Sequence, residues 1–313
     1  MVVVRPIRAN DLAPLLALVR DTGVGLTTLP NNEGLLRGRI EASIATFNGT
    51  AEKADEQWVF VMEDTTQNKI VGICAIAGAV GLREPWYSYR VGTVVHASRE
   101  LGIFTRTPTL LMFMAQFRER FSPKVIAELR GVSDENGRSP FWESLGRHFF
   151  SMDFAEADYL TGIGKKSFVA ELMPKHPLYS SFLSKEAQAV IGETHEMTRP
   201  ARRLLEQEGF RFEGHVDIFD AGPALESDLV DIDAVQKSTT HTVAAVTEAS
   251  ADSASAAPLM LISNVHLAEF RVGLGRCQIS DDNVVISADI AKALGVKVGD
   301  TVRVVALSPS ERA

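Results

Sequence analysis

Cysteine is nearly absent from this chain. Cys74 and Cys277 are the two copies, one in a buried-looking strand and one far along the chain, too few for a disulfide scaffold and suited to a reducing cytoplasm. Long apolar runs are also missing: stretches such as Ile70 to Val80 are too short and too rich in Gly and Ala to span a bilayer, so a soluble chain without membrane association is expected. The N-terminal Met1-Val2-Val3-Val4-Arg5-Pro6 has no basic leader and no apolar stretch ending at a small-residue cleavage site, which argues against export. Positive charge is not in excess. The net charge of −8 argues against a nucleic-acid or anionic-membrane partner and leaves room only for a local basic pocket. No His-x-x-x-His pair and no close cysteines occur, so no metal is expected. A Gly-x-Ser-x-Gly elbow and a reactive-cysteine context are lacking too, so nothing suggests a covalent acyl-enzyme.

What is present reads as α+β, a mixed α/β sheet flanked by helices. From Lys124 to Pro174 the chain spells strand, turn, helix, strand. Val125 to Leu129 alternates with period two, and Asp134-Glu135-Asn136-Gly137 supplies a turn. Ser139 is placed to cap a helix with Pro140 in its first position, and Phe141, Leu145 and Phe149 form its apolar stripe through Phe150. Ser167 to Leu172 then returns as a strand. Earlier come a strand (Val2 to Arg5), helices over Leu12 to Asp21 and Glu33 to Phe47, and strands at Trp58 to Met62 and Ile70 to Ala79 around the polar turn Asp64 to Asn68. Later a helix from Pro200 ends at Gly209 and is followed by a strand from Phe210 to Phe219.

Composition divides the chain. Residues 1–237 read as the main domain, residues 238–258, rich in Ala, Ser and Thr, as a linker or poorly ordered loop, and residues 259–313 as a small β-rich appendage. In the appendage, short strands are expected around Ile262, Phe270 and Val302, with a helix from Ser287 to Leu294 stopped by Gly295.

Four longer blocks are more specific: Thr22 to Pro30, Gly81 to Gly92, Ser139 to Gly146 and Asp217 to Pro223. Together they resemble the bacterial arginine N-succinyltransferase family of the acyl-CoA N-acyltransferase superfamily, over nearly the whole chain. That resemblance implies transfer of succinyl from succinyl-CoA to the α-amine of L-arginine in arginine catabolism. Succinyl-CoA is then a co-substrate with no bound cofactor, and a homo- or hetero-oligomer with a related subunit is implied.

The same resemblance exposes a departure. Family members carry a further segment between Pro-Thr-Leu and Phe-Met-Phe-Met-Ala, with a central strand and a Trp-Arg-x-x-Gly-x-Gly-x-Leu-Leu helix start. Here Leu110 runs directly into Leu111, so on the order of thirty residues, enough for one strand-turn-helix unit, are missing. Glycine-rich amides at such a helix start cradle the CoA pyrophosphate. The omission predicts a sheet with one central strand fewer. It also opens a second reading, a catalytically impaired partner subunit of an arginine/ornithine succinyltransferase assembly. No substitute is found: Arg20 to Gly25 has the right spelling but follows a helix, Gly162 to Ser167 lacks an upstream glycine, and Gly273-Leu274-Gly275 has no helix behind it. The CoA-binding residues are therefore unassigned.

For the chemistry, a neutral amine must attack a thioester and the departing thiolate must be protonated, which suits a histidine. Among seven histidines, the resemblance implies His195 as the proton donor, in a loop between two helices. His148 reads as a packed core side chain, and His176 and His215 as lying at element boundaries. Arg90 and Arg130 are candidate clamps for the carboxylates, and Glu128 and Glu171 candidates to face the guanidinium.

Overall fold

The computed structural model describes residues 1–22, 31–80, 82, 87–91, 101–104, 108–154, 156–157, 160, 173–174, 176–248, 258–309 and 312. The first part of the chain contributes β1 (Val2–Pro6), α1 (Leu12–Thr22), α2 (Glu33–Phe47), β2 (Gln57–Asp64), β3 (Lys69–Val80), β4 (Tyr89–Arg90), β5 (Leu101–Phe104), α3 (Pro108–Gln116) and β6 (Lys124–Glu128). Next come α4 (Pro140–Ser144), α5 (Lys185–Val190), α6 (Arg199–Gln207), β7 (Arg211–Val216), β8 (Pro223–Asp228) and α7 (Asp233–Lys237). The tail supplies β9 (Thr239–Thr247), β10 (Met260–Ser263), β11 (Val272–Gly275), β12 (Gln278–Ser280), β13 (Asn283–Ser287), α8 (Ala288–Leu294) and β14 (Thr301–Ala306). The strand expected over Ser167 to Leu172 lies outside the described residues, as do Gly162 to Lys166, His96 and most of the Thr22 to Pro30 block.

Hydrogen bonding joins the strands into one mixed sheet in the order β12-β13-β9-β14-β10-β11-β1-β2-β3-β5-β6-β8-β7-β4. Most neighbours are antiparallel, whereas β5 with β6 and β9 with β13 run parallel. Strand β2 is buried on both faces, which fits its nearly continuous apolar run. Trp58 and Phe60 join the core around α3, while Val59 and Val61 pack beneath α1 and α2. Helix α3 carries Leu110, Leu111, Met112 and Phe113 with no exposed surface, as a helix apolar all round must be. Phe113 stands at the centre of a ring cluster, with centroids 5.1 Å from Trp58, 5.0 Å from Phe60 and 5.0 Å from Phe270.

Local signals place several boundaries. Asn32 caps α2 by accepting from the Leu35 N–H at 3.1 Å. Ser139 accepts from the Trp142 N–H at 3.4 Å with Pro140 behind it. Ser287 caps α8, and Gly295, at φ +69°, ends it in the left-handed conformation.

Three expectations need correction. Residues 239–247 do not belong to a linker: β9 pairs with β14 and β13, and its Thr240, Thr242 and Ala244 face out while His241 and Val243 face in. Its β-branched alternation outweighs its lack of large side chains. The helix at Pro140 stops at Ser144 and passes into a 3-10 turn at Gly146–His148, because Gly146 packs so closely on the Trp142 ring that an added Cβ would lie 2.3 Å from it. His148 is exposed there, not in the core. Between β3 and β6, Leu101–Phe104 pairs antiparallel with β3 and parallel with β6.

Two buried ion clusters lock the ends of the chain. Arg5 makes a two-pronged contact with Asp11, at 2.8 and 2.9 Å, and also meets Glu63. Arg312 reaches into the interior to Glu208 at 2.8 Å and Asp233 at 2.9 Å, while its Nε donates to the Ala306 carbonyl.

Candidate active site

Beyond the end of β6, three loops cross: the one after Leu129, the one leading from α5 to α6, and the turn between β7 and β8. Their contacts run through backbone groups. The His195 N–H donates to the Arg130 carbonyl at 2.8 Å, and the Gly192 N–H donates to the Ala221 carbonyl at 2.9 Å. The buried Asp220 carboxylate ties the other two loops by accepting from the Gly131 N–H at 2.7 Å and the Gly222 N–H at 2.8 Å. Both glycines are required by space. A Cβ on Gly222 would stand 2.2 Å from the Leu129 carbonyl oxygen, and one on Gly131 2.4 Å from that of Asp220. Arg202 of α6 braces the His195 loop by donating to the Gly192 carbonyl and to Thr194 Oγ1, both at 3.2 Å.

His195 is half-buried and opens the 3-10 turn Glu196–Thr198. Its Nδ1 accepts from the Met197 N–H at 3.2 Å. With Nδ1 used as an acceptor, the neutral ring carries its proton on Nε2.

Of the other expected site residues, Arg130 comes closest, since its carbonyl holds the His195 backbone and its side chain donates to Ser133 Oγ at 2.9 Å. Glu128 is half-buried on β6, opposite Ala224. Arg90 is exposed on the edge strand β4, in register with His215. Glu171 lies outside the described residues.

Sequence reasoning missed three features. Asp220 and the two glycines form one unit only because their loops meet, although the Asp217 to Pro223 block had marked the turn. Tyr89 is held in the aromatic cluster around Trp142, where burial and, to a lesser degree, the Asp217 charge push its phenol above the ordinary range. His215 lies inside β7 rather than at a boundary and contacts Glu226 of β8. Among the described residues no cluster suited to a metal ion occurs, and no helix is long and apolar enough to cross a membrane. The small cavity lined by Ile76, Ala77, Gly78, Met114, Phe121, Ser122, Lys124 and Val125 shares no residue with the loop crossing.

The family model described as "Arginine N-succinyltransferase beta subunit" matches residues 2–112 and 109–234, and that of its C-terminal domain matches residues 241–306. The chain belongs to the arginine N-succinyltransferase family. Arginine N-succinyltransferases similar to it along the full length of both chains include that of Escherichia coli strain 55989, 45% identical over 346 positions and covering 100% of this chain and 99% of the relative. That of Enterobacter sp. strain 638 is 46% identical with the same coverage. Among solved structures, the arginine/ornithine succinyltransferase subunit AI from Pseudomonas aeruginosa matches with a TM-score of 0.86 and 31% identity, covering 98% of this chain and 99% of that one. The mixed sheet flanked by helices is thus the fold of this family. The alignment also locates the departure: 346 aligned positions minus 313 residues leaves at least 33 positions of the Escherichia coli relative without a counterpart here. The two stretches of the family match overlap at residues 109–112, around the Leu110 to Leu111 junction.

Proposed function

We propose that this chain transfers the succinyl group of succinyl-CoA to the α-amine of L-arginine, as the names of its full-length relatives state for them. His195 donates the proton that the departing CoA thiolate takes up. The observation behind this role is the Met197 N–H bound to Nδ1, which holds the ring of His195 in place; the ring gives its proton in the imidazolium form. Arg130 and Arg90 are the candidates for the carboxylates, and Glu128 and Glu171 for the guanidinium. The reaction is direct, with both substrates bound together and no metal or covalent enzyme intermediate. We place it in the cytoplasm, in keeping with two unbridged cysteines, and in an oligomer with a second copy or a related subunit.

A second reading is favoured by the at least 33 positions without a counterpart, together with the break in the family match at residues 109–112 in α3. Under it the chain keeps the assembly surface but does not hold acyl-CoA. Thiol release from succinyl-CoA with arginine, run beside calorimetric titration with CoA, separates the two. Turnover that depends on arginine supports transfer. A folded chain with neither CoA binding nor thiol release overturns it in favour of the partner role.

A further inference from the structure

A second imidazole sits on the sheet itself. On β6, Val125, Ala127 and Leu129 enter the core around α3, so Lys124, Ile126 and Glu128 project from the opposite face. On β8, Glu226 pairs in register with Ile126, which puts its carboxylate on that second face between Lys124 and Glu128. Glu226 is only 6% exposed, an unusual place for a carboxylate unless it is paired. It contacts Lys124 Nζ at 3.3 Å and His215 Nδ1 at 2.5 Å. The strand is built to present that histidine: β7 slips its register against β8 between Phe212 and Val216, with Gly214 at φ +90° inside the slip.

The two histidines are wired in opposite senses. At His195, Nδ1 accepts from a backbone N–H, so Nε2 carries the proton of the neutral ring. At His215, Nδ1 faces a carboxylate, which can only accept; Nδ1 therefore holds the proton, and Nε2 carries the lone pair. An acyl transfer to an amine that starts as an ammonium needs a neutral imidazole to take a proton and an imidazolium to give one. We infer that His215, oriented by Glu226, is the group that takes the proton from the acceptor's α-ammonium, while His195 supplies the proton to the thiolate. This rests on the transfer reaction proposed above.

The steps balance. The ammonium gives one proton to His215 Nε2, and the neutral amine forms the C–N bond at the thioester carbonyl. The C–S bond breaks as sulfur takes a proton from the imidazolium form of His195. A second nitrogen proton is lost as the amide forms and restores that imidazolium, while His215 returns its proton to solvent. The products are the amide, the thiol and one proton.

The test is the pH profile of kcat/KM for arginine in wild type, His215→Gln and Glu226→Gln, with thermal melts to confirm folding. Of the charged groups around His215, Glu226 of β8 contacts it, Lys124 of β6 contacts Glu226, Glu128 shares their face, Arg90 of β4 pairs in register with it, and Arg211 and Glu213 lie on its own strand. Loss of a proton acceptor lowers the rate at neutral pH by roughly 10²-fold or more, and the defect shrinks to within about tenfold near pH 9.5, where the amine is already deprotonated. Glu226→Gln is expected to show the same recovery, because it unfixes the tautomer. A defect of equal size at every pH, or no defect, overturns the inference while the transfer reaction stands. A wild-type chain that releases no thiol overturns both.

Discussion

Around Phe113 the molecule is held by rings, whereas around Asp220 it is held by backbone amides. In the first region, side chains from β2, α2, α3 and the loop before β11 meet through apolar surface alone, and nothing there fixes a direction. In the second, a carboxylate and two facing glycines tie two loops, two backbone hydrogen bonds hold the third, and Ile218, Phe219 and Ala221 of the turn pack with Val190 and Ile191. Dispersion and burial scale with area and are indifferent to angle, so they suit a scaffold. Hydrogen bonds depend on direction, so they suit a place where a ring nitrogen must be aimed.

The comparison can be broken by mutation. The largest loss of stability is expected from Phe113→Ala, about 3–5 kcal/mol for emptying a large buried ring site, read as a fall in the denaturant midpoint. The protein that remains folded should keep its KM for arginine. A similar loss, about 3–5 kcal/mol, is expected for Arg312→Ala, because Glu208 is left buried without its cation. Asp220→Asn should cost less stability, about 1–3 kcal/mol, since one buried acceptor becomes mismatched. Its effect on thiol release should nevertheless exceed that of Phe113→Ala once both are corrected for the folded fraction. If Asp220→Asn destabilises as much as Phe113→Ala and leaves turnover intact, the loop crossing is merely another piece of scaffold. The smallest change belongs to Ser287→Ala, which removes the α8 cap at about 1 kcal/mol and should leave turnover untouched. An altered rate in that variant would tie the tail to the chemistry.

The parts of this fold that were legible in the sequence are those whose cause is local. Asn32 starts α2 where the polar cap precedes an apolar period, and Ser139 with Pro140 starts α4 for the same reason. Gly295 stops α8 because the next φ is positive. The parts that were not legible depend on distant partners. Strand β9 looked like a linker because Thr239 to Thr247 lacks bulk, and its pairing with β13 and β14, forty to sixty positions away, is what orders it. The four residues of β5 carry too little pattern to stand out, yet they fill the place between β3 and β6. At the site, His195 was reached through the family resemblance, and the tautomer of its ring came only with the Met197 contact. His215 gave no signal at all, because its partner Glu226 faces it from another strand.

Strand β1 has two neighbours of very different age in the growing polypeptide. Residues 57–64 of β2 leave the ribosome soon after it, whereas residues 272–275 of β11 follow only after the whole of residues 65–271. While that stretch is being made, one flank of the first valine-rich strand waits without its mate, exposed to any other nascent copy nearby. Premature termination anywhere before Val272 would leave that flank permanently open, so shortened products should be prone to clump rather than accumulate as a working half.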